Sequence, residues 1–238
     1  MRSRGGVFVL AGRAALCAAL GAFPVAAAAA PPPADLASKL RRIQETCFDL
    51  YPPALVQKMS GRPGPPPDDV RADPRRQVAY LKTEEKVAKG LFYPSILEDL
   101  YPALVAAIRP GDRFLDLGSG DGRVVFMAAL LGARATGIEY DQELHRIALA
   151  AEKRLEGLVD PESAVLRRGD FFKVDLRPYE VYFYYALGSS KEDRLLEKLG
   201  RDLGPSARLV LAYPSNSVPG FRRVADYDGV GIFQRGGD

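Results

Sequence analysis

The sequence predicts an α/β fold: a doubly wound, mostly parallel seven-strand sheet with a C-terminal antiparallel hairpin, preceded by an N-terminal helical extension. Three observations carry this. Short apolar segments alternate with helical periodicity over residues 114–212. A glycine-rich turn, Gly118-Ser-Gly-Asp-Gly122, joins the first apolar segment directly to a helical pattern. Two closing strand-like segments, 222–227 and 230–235, are joined by Asp228-Gly229, a hairpin signal.

Residues 1–30 stand apart. Arg2, Arg4 and Arg13 precede an apolar run at 14–23, Pro24 breaks it, and alanines at 26–30 offer Ala-x-Ala cleavage sites before Pro31. A basic start, a short apolar core and small residues make a signal peptide or an uncleaved anchor. A disordered Ala/Pro-rich extension is the alternative. The expected location is therefore export or membrane attachment through this segment, and the cytoplasm if it is not a functional signal. Arg13 and the alanine content disfavour a stable transmembrane span.

The segment's three arginines account for the formal net charge of +3. The remainder is balanced and has no concentrated basic stretch, so nucleic acid is not a favoured partner. Of the two cysteines, Cys17 lies in the leader and Cys47 is left alone, and His145 is the one histidine. An intrachain disulfide in a processed chain and a Cys/His metal site are both excluded.

Residues 31–76 form the helical extension and a Pro-rich linker. Leu36, Leu40, Ile43, Cys47 and Leu50 share one face of a helix opening at Asp35. Pro52-Pro53 interrupts it, and the proline-rich stretch 60–67 rules out regular structure. The main domain runs over 77–238. Ser95 and Glu98 have capping-box spacing, followed by Leu97, Leu100, Tyr101, Leu104, Val105 and Ile108 at helical intervals. Pro102 is expected to kink that helix, and Arg109-Pro-Gly-Asp112 ends it. A buried strand from Phe114 follows, then a helix over 124–131 and a strand over 135–139. Asp141 opens the next helix, with Leu144, Ile147, Ala151, Leu155 and Leu158 on one face. Strands follow at 164–168 and 180–185. A second capping box, Ser189 to Glu192, opens a helix carrying Leu195, Leu196, Leu199 and Leu203, and 208–212 is another strand.

The functional signal lies at the strand ends. A strand that turns sharply into a helix exposes free backbone N–H groups, and glycines let a ligand approach closely. Asp116 puts a carboxylate beside the same opening, so a nucleotide-like ligand is expected. Spacing separates two ligand classes. A dinucleotide fingerprint needs glycine where Arg123 stands; the sequence instead places Gly118, Gly120 and Gly122 at alternate positions after Asp116.

Asp116-Leu-Gly-Ser-Gly-Asp-Gly122 resembles motif I of the class I, Rossmann-like S-adenosylmethionine-dependent methyltransferases. The resemblance implies that the turn of Gly118, Ser119, Gly120 and Gly122 passes under the methionine part of the cofactor, whose amino group Asp116 receives directly or through water. Glu139, closing the second strand, would accept the ribose hydroxyls as that family's motif II does, whereas Asp141 is more simply a helix N-cap. At Gly169-Asp-Phe-Phe172, Asp170 would accept from the adenine amino group, and the backbone at Phe171 with an aromatic face would border the ring. Phe172 reads equally well as core. All three strand ends meet in one crevice.

The acceptor side is less defined. Tyr184-Tyr-Ala-Leu-Gly188 lacks the Asn/Asp-Pro-Pro-Tyr motif of amino-directed DNA methyltransferases and the Pro-Cys nucleophile of the cytosine C5 type. With Leu91-Phe-Tyr-Pro-Ser95 and Gly137-Ile-Glu139, the cofactor motifs are similar to the seven-strand protein-lysine methyltransferases, of the histone-lysine and ATP synthase c-subunit types, over about 91–213. The implied function is N-methylation of a protein lysine, with Tyr93, Tyr184 and Tyr185 as candidate catalytic lining; a small-molecule acceptor is the alternative partner. Two other classes stand beside it. One is a nicotinamide oxidoreductase, disfavoured by the glycine spacing and by the lack of a catalytic His or Tyr-x-x-x-Lys. The other is an exported S-adenosylmethionine-binding module without chemistry.

Overall fold

The computed structural model describes residues 30–62, 65–81, 92–186, 190–214 and 217–236. The leader expected over 1–30 lies outside them except for Ala30, as do Leu91, Gly188 and the cap expected at Ser189.

The described elements, in chain order, are α1 (Ala34–Asp49), α2 (Pro53–Ser60), α3 (Asp68–Arg71), α4 (Pro74–Leu81), α5 (Leu97–Ala107), β1 (Arg113–Leu117), α6 (Arg123–Leu130), β2 (Arg134–Glu139), α7 (Gln142–Arg154), β3 (Ala164–Arg168), β4 (Val181–Tyr185), α8 (Ser190–Asp202), β5 (Arg208–Ala212), β6 (Phe221–Tyr227) and β7 (Val230–Arg235). The seven strands form one sheet in the order β3-β2-β1-β4-β5-β7-β6. The first five run parallel, and β7 is antiparallel to both β5 and β6. The expected architecture is thus the observed one. In the hairpin turn Asp228 and Gly229 both take positive φ, 52° and 87°, as a two-residue type I′ connection requires.

Strand alternation divides the core. Phe114, Val181, Phe183, Val210 and Ile232 face a layer built from α5, α6 and α7. Leu115, Leu117, Tyr182, Tyr184 and Leu209 face α8 through Leu195, Leu196, Leu199 and Leu203. Helix α1 joins the first layer, with Leu40, Ile43 and Cys47 wholly buried among α5, α6 and α7 residues. Tyr51, Leu55, Val56 and Met59 form a smaller cluster with Val70, Tyr80 and Leu81 of α3 and α4. Among the described residues no helix is long and apolar enough to cross a membrane.

One sequence expectation fails in an informative way. Ser95 does not cap α5; the N-cap is Ile96, without a side-chain cap. Instead Gln44 of α1 accepts the Leu97 N–H (2.8 Å) and donates to Glu98 (2.9 Å). A buried amide from a distant helix satisfies the free helix end, and the Ser95 carbonyl accepts from Arg123 (3.0 Å). The helix continues through Pro102.

Candidate functional site

In an open α/β sheet, ligands collect at the carboxyl ends of the strands where the strand order reverses. Here that point lies between β1 and β4. The turn after β1 is built by three left-handed glycines, Gly118 (φ 91°), Gly120 (φ 55°) and Gly122 (φ 83°). At Gly120 a side chain is also excluded by contact, since a Cβ would stand 2.4 Å from the Phe92 ring. The turn lies close on β2. Gly137 makes this possible, because a Cβ there would stand 2.6 Å from both Ser119 Oγ and Val125 Cγ2.

The backbone N–H groups of this turn are not free, contrary to the expectation from its shape. Gly118 and Ser119 donate to the Ile138 carbonyl (2.9 and 3.1 Å), Gly120 donates to Glu139 Oε2 (2.7 Å), Gly122 donates to the Ser119 carbonyl (2.9 Å) and Arg123 donates to Asp121 (3.2 Å). A pyrophosphate needs such donors. Their engagement disfavours a dinucleotide and suits a ligand with a cationic tail.

Asp116 supplies the complementary charge. It is 2% exposed, and its carboxylate accepts no hydrogen bond among the described residues. Burial, followed by the nearby Glu139 and Asp121 carboxylates, pushes its pKa well above the ordinary range. A buried carboxylate in this condition is costly until a cation reaches it. The ammonium group of S-adenosylmethionine fits that need.

Glu139 closes β2, where its Oε2 accepts from Gly120 and its Oε1 from Asp141 (2.6 Å). Burial raises its pKa, against the lowering effect of the Asp141 and Gly120 N–H bonds. Each oxygen keeps a further lone pair for a ribose hydroxyl. Asp141 is the N-cap of α7, accepting from Glu143 and Leu144. Asp170 follows β3 and accepts from the Phe172 N–H (3.0 Å). The Phe171 ring comes within 3.9 Å of the Cβ position of Gly118, which brings the β3 end onto the motif I turn. Phe171 also touches Phe172 (4.8 Å between centroids) and Tyr184 (6.3 Å).

The three tyrosines expected on the acceptor side do not lie together. Tyr93 stacks on Tyr185 (6.2 Å, 8° between planes), and Tyr185 shares the sheet face of Phe183 and Asp116. Tyr184 points to the other face, among α8 residues and against Phe171. Burial raises its hydroxyl to about 12. Adjacent residues of a strand cannot share a face.

Residues not expected from the sequence complete the site. Phe92 packs on Gly120 and, edge-on, on Tyr51 (6.1 Å), and its neighbour Tyr93 reaches the end of β4. Behind the turn, Asp121 and Arg123 form a buried ion pair (2.6 Å). Tyr51 donates to Asp121 (2.5 Å), Arg123 donates to Tyr51 (3.0 Å) and the Cys47 thiol reaches the Asp121 carbonyl (3.7 Å). The α1–α2 segment therefore holds the cofactor turn from behind. Glycine inside a strand pattern is a known sign of close backbone approach and could have marked Gly137; no local signal links Tyr51 to Asp121.

A surface cleft of about 540 Å³ near Phe172 is lined by Lys173, Arg177, Lys198 and Arg201 among others. Three of these cations are paired, Arg177 with Asp175 and both Lys198 and Arg201 with Asp202. It touches none of the motif I residues.

A family model described as the ANTKMT methyltransferase domain matches residues 116–214. The chain is 33% identical over 135 residues to the protein-lysine N-methyltransferase of Saccharolobus islandicus (strain REY15A), covering 56% of this chain and 74% of that protein. It is 32% identical over 100 residues to the ATP synthase c-subunit lysine N-methyltransferase of Caenorhabditis elegans, covering 42% and 50%. Among solved structures, MtNAS in complex with MTA and tNA has a TM-score of 0.50 at 18% identity, over 86% of this chain and 78% of that one. That likeness concerns the fold.

Proposed function

The chain belongs to the S-adenosylmethionine-dependent protein-lysine N-methyltransferases, and we propose that it methylates the ε-amine of a lysine on a partner protein at the opening between Asp116 and Tyr185. The observation that carries the assignment of the site is the buried, unpartnered Asp116 carboxylate on the same sheet face as Tyr185.

S-adenosylmethionine supplies an electrophilic methyl group on a sulfonium. This chain's residues have to hold donor and acceptor in line and keep water out. Asp116 receives the ammonium, Glu139 the ribose hydroxyls and Asp170 the adenine amino group, with Phe171 at the ring. Phe92 and the three glycines set the depth at which the methionine part lies. Stacked Tyr93 and Tyr185 flank the acceptor. A lysine side chain, with a reference pKa of about 10.4, must be neutral to attack. Apolar walls favour the neutral amine, and its proton passes to solvent.

Calorimetric titration against S-adenosylmethionine and NAD tests the donor. Tight NAD binding with no response to the methyl donor would sink the proposal. Labelled methyl transfer to cell fractions, with hydrolysis and detection of methyl-lysine, tests the acceptor. Membrane fractions holding the proteolipid ring of ATP synthase come first, since the Caenorhabditis elegans relative is named for a lysine of that assembly. Label in a small molecule or in another side chain, with none in lysine, refutes it. For residues 1–30 we propose a signal peptide or anchor. The native N-terminus, read by mass spectrometry, decides between cleavage and retention, and a chain found soluble with that segment intact refutes both.

A further inference from the structure

We propose that Tyr213 is a specificity-determining wall of the acceptor site, completing an aromatic enclosure with Tyr93 and Tyr185 whose carboxylate rim, Asp99 and Asp228, selects a cationic side chain. The inference rests on the methyltransferase reading of the same site.

Tyr213 follows the last residue of β5 and is 43% exposed. Its ring lies 5.6 Å from that of Tyr185, which is itself stacked on Tyr93. Three rings from three separate segments therefore adjoin at the carboxyl edge of the sheet, next to β1 and its cofactor turn.

The backbone at Tyr213 is unusual. Among the described residues only Tyr213 (φ 55°) and Asp228 (φ 52°) are non-glycine residues with positive φ. The hairpin turn accounts for Asp228. No turn type accounts for Tyr213, and an L-residue with a bulky side chain is strained there. Glycine or asparagine would relieve that strain, yet the position holds a large aromatic residue. The surroundings hold it in place. Its N–H donates to the Gly229 carbonyl (2.8 Å), and Gly229 leaves room for the ring, which would stand 2.8 Å from a Cβ there. A strained, exposed aromatic over-determined by its neighbours points to use of the side chain.

The charge around the ring specifies the ligand class. Burial first, then the Asp99 and Asp228 carboxylates, raise the Tyr213 hydroxyl's pKa, while Arg75 opposes them. Asp99 already holds a guanidinium, since Arg75 of α4 donates to both of its oxygens (2.5 and 3.2 Å). Carboxylates beside ring faces attract an ammonium or a methylated ammonium. A neutral acceptor gains nothing from that rim.

The test uses the full chain with labelled S-adenosylmethionine, and as acceptor the proteome of cells lacking this protein. Label is read as methyl-lysine over a range of total protein concentrations. Tyr213→Asn tolerates the left-handed backbone and removes the ring. It should raise the apparent acceptor KM about tenfold, leave the cofactor Kd within about twofold and leave Tm unchanged within a few degrees, as expected for loss of a cation–aromatic contact at a partly exposed site. Tyr213→Phe keeps the ring and should restore the wild-type KM. If wild type forms no methyl-lysine, the reading of the function fails, and the inference with it. If wild type is active while Tyr213→Asn keeps its acceptor KM, or loses activity only in proportion to a fall in Tm, the inference alone is overturned.

Discussion

Replacing Asp116 by asparagine should weaken cofactor binding and stabilise the free protein, two effects of opposite sign from one carboxylate. In the free protein this group is 2% exposed, has no hydrogen-bond partner among the described residues, and stands near Glu139 and Asp121. Asparagine is nearly isosteric and carries no charge, so the burial cost falls. A hydrogen bond between a carboxylate and an ammonium contributes about 1.5–3 kcal/mol, so the Kd for S-adenosylmethionine should rise about ten- to a hundred-and-fifty-fold. The pH dependence follows from the direction of the shift. Above the ordinary aspartate pKa of about 3.9, the unfolded chain releases this proton while the folded chain retains it. The folded state then binds more protons, and wild-type stability declines with rising pH until the raised pKa is passed. Asp116→Asn lacks that decline, so its Tm advantage should open as pH rises from 4. Binding an ammonium favours the ionised carboxylate, so calorimetry in two buffers of different ionisation enthalpy should detect proton release on binding by wild type and none from this group in the variant. An unchanged Kd, or a lower Tm for the variant at neutral pH, would refute the assignment of Asp116.

Three further outcomes are expected. Glu139→Ala leaves the Gly120 and Asp141 N–H groups without their acceptor and should raise the cofactor Kd about ten- to a hundredfold; unchanged affinity removes Glu139 from the ribose. Gly137→Ala forces a Cβ to within 2.6 Å of Ser119 and Val125 and should cost about 1–3 kcal/mol in urea denaturation, together with loss of cofactor binding as the turn lifts from β2. Tyr51→Phe deprives buried Asp121 of one donor and should cost about 1–3 kcal/mol; a denaturation midpoint equal to wild type shows that Arg123 alone satisfies that carboxylate.

What could be read from the sequence was local. The seven strands, the switch point and the order Asp116, Glu139, Asp170 follow from apolar periodicity and from residue types at strand ends. The type I′ turn follows from the single dipeptide Asp228-Gly229. What escaped depends on segments far apart in the chain. The α5 end is satisfied by Gln44, 53 residues away, because a buried amide displaced the serine that local spacing offered. The N–H groups of the glycine turn are consumed by β2, which a reading of the turn alone cannot register. Tyr184 and Tyr185 separate to opposite faces by strand alternation, a rule available from the sequence once the strand is accepted. Tyr213 had no signal, since its left-handed backbone arises from the Gly229 carbonyl of a later hairpin.

Helix α1 is made first and settles last. Its Cys47 thiol and the following Tyr51 hydroxyl meet partners 74 and 70 residues downstream. At ribosomal speeds of about 5–20 residues per second, that interval takes roughly 4–14 seconds. Throughout it, the face carrying Leu40 and Ile43 has no surface to cover it, and the emerging chain is a natural client for a chaperone. Nascent chains arrested before residue 121 should expose α1 to protease, and chains arrested after β4 has cleared the exit tunnel should protect it.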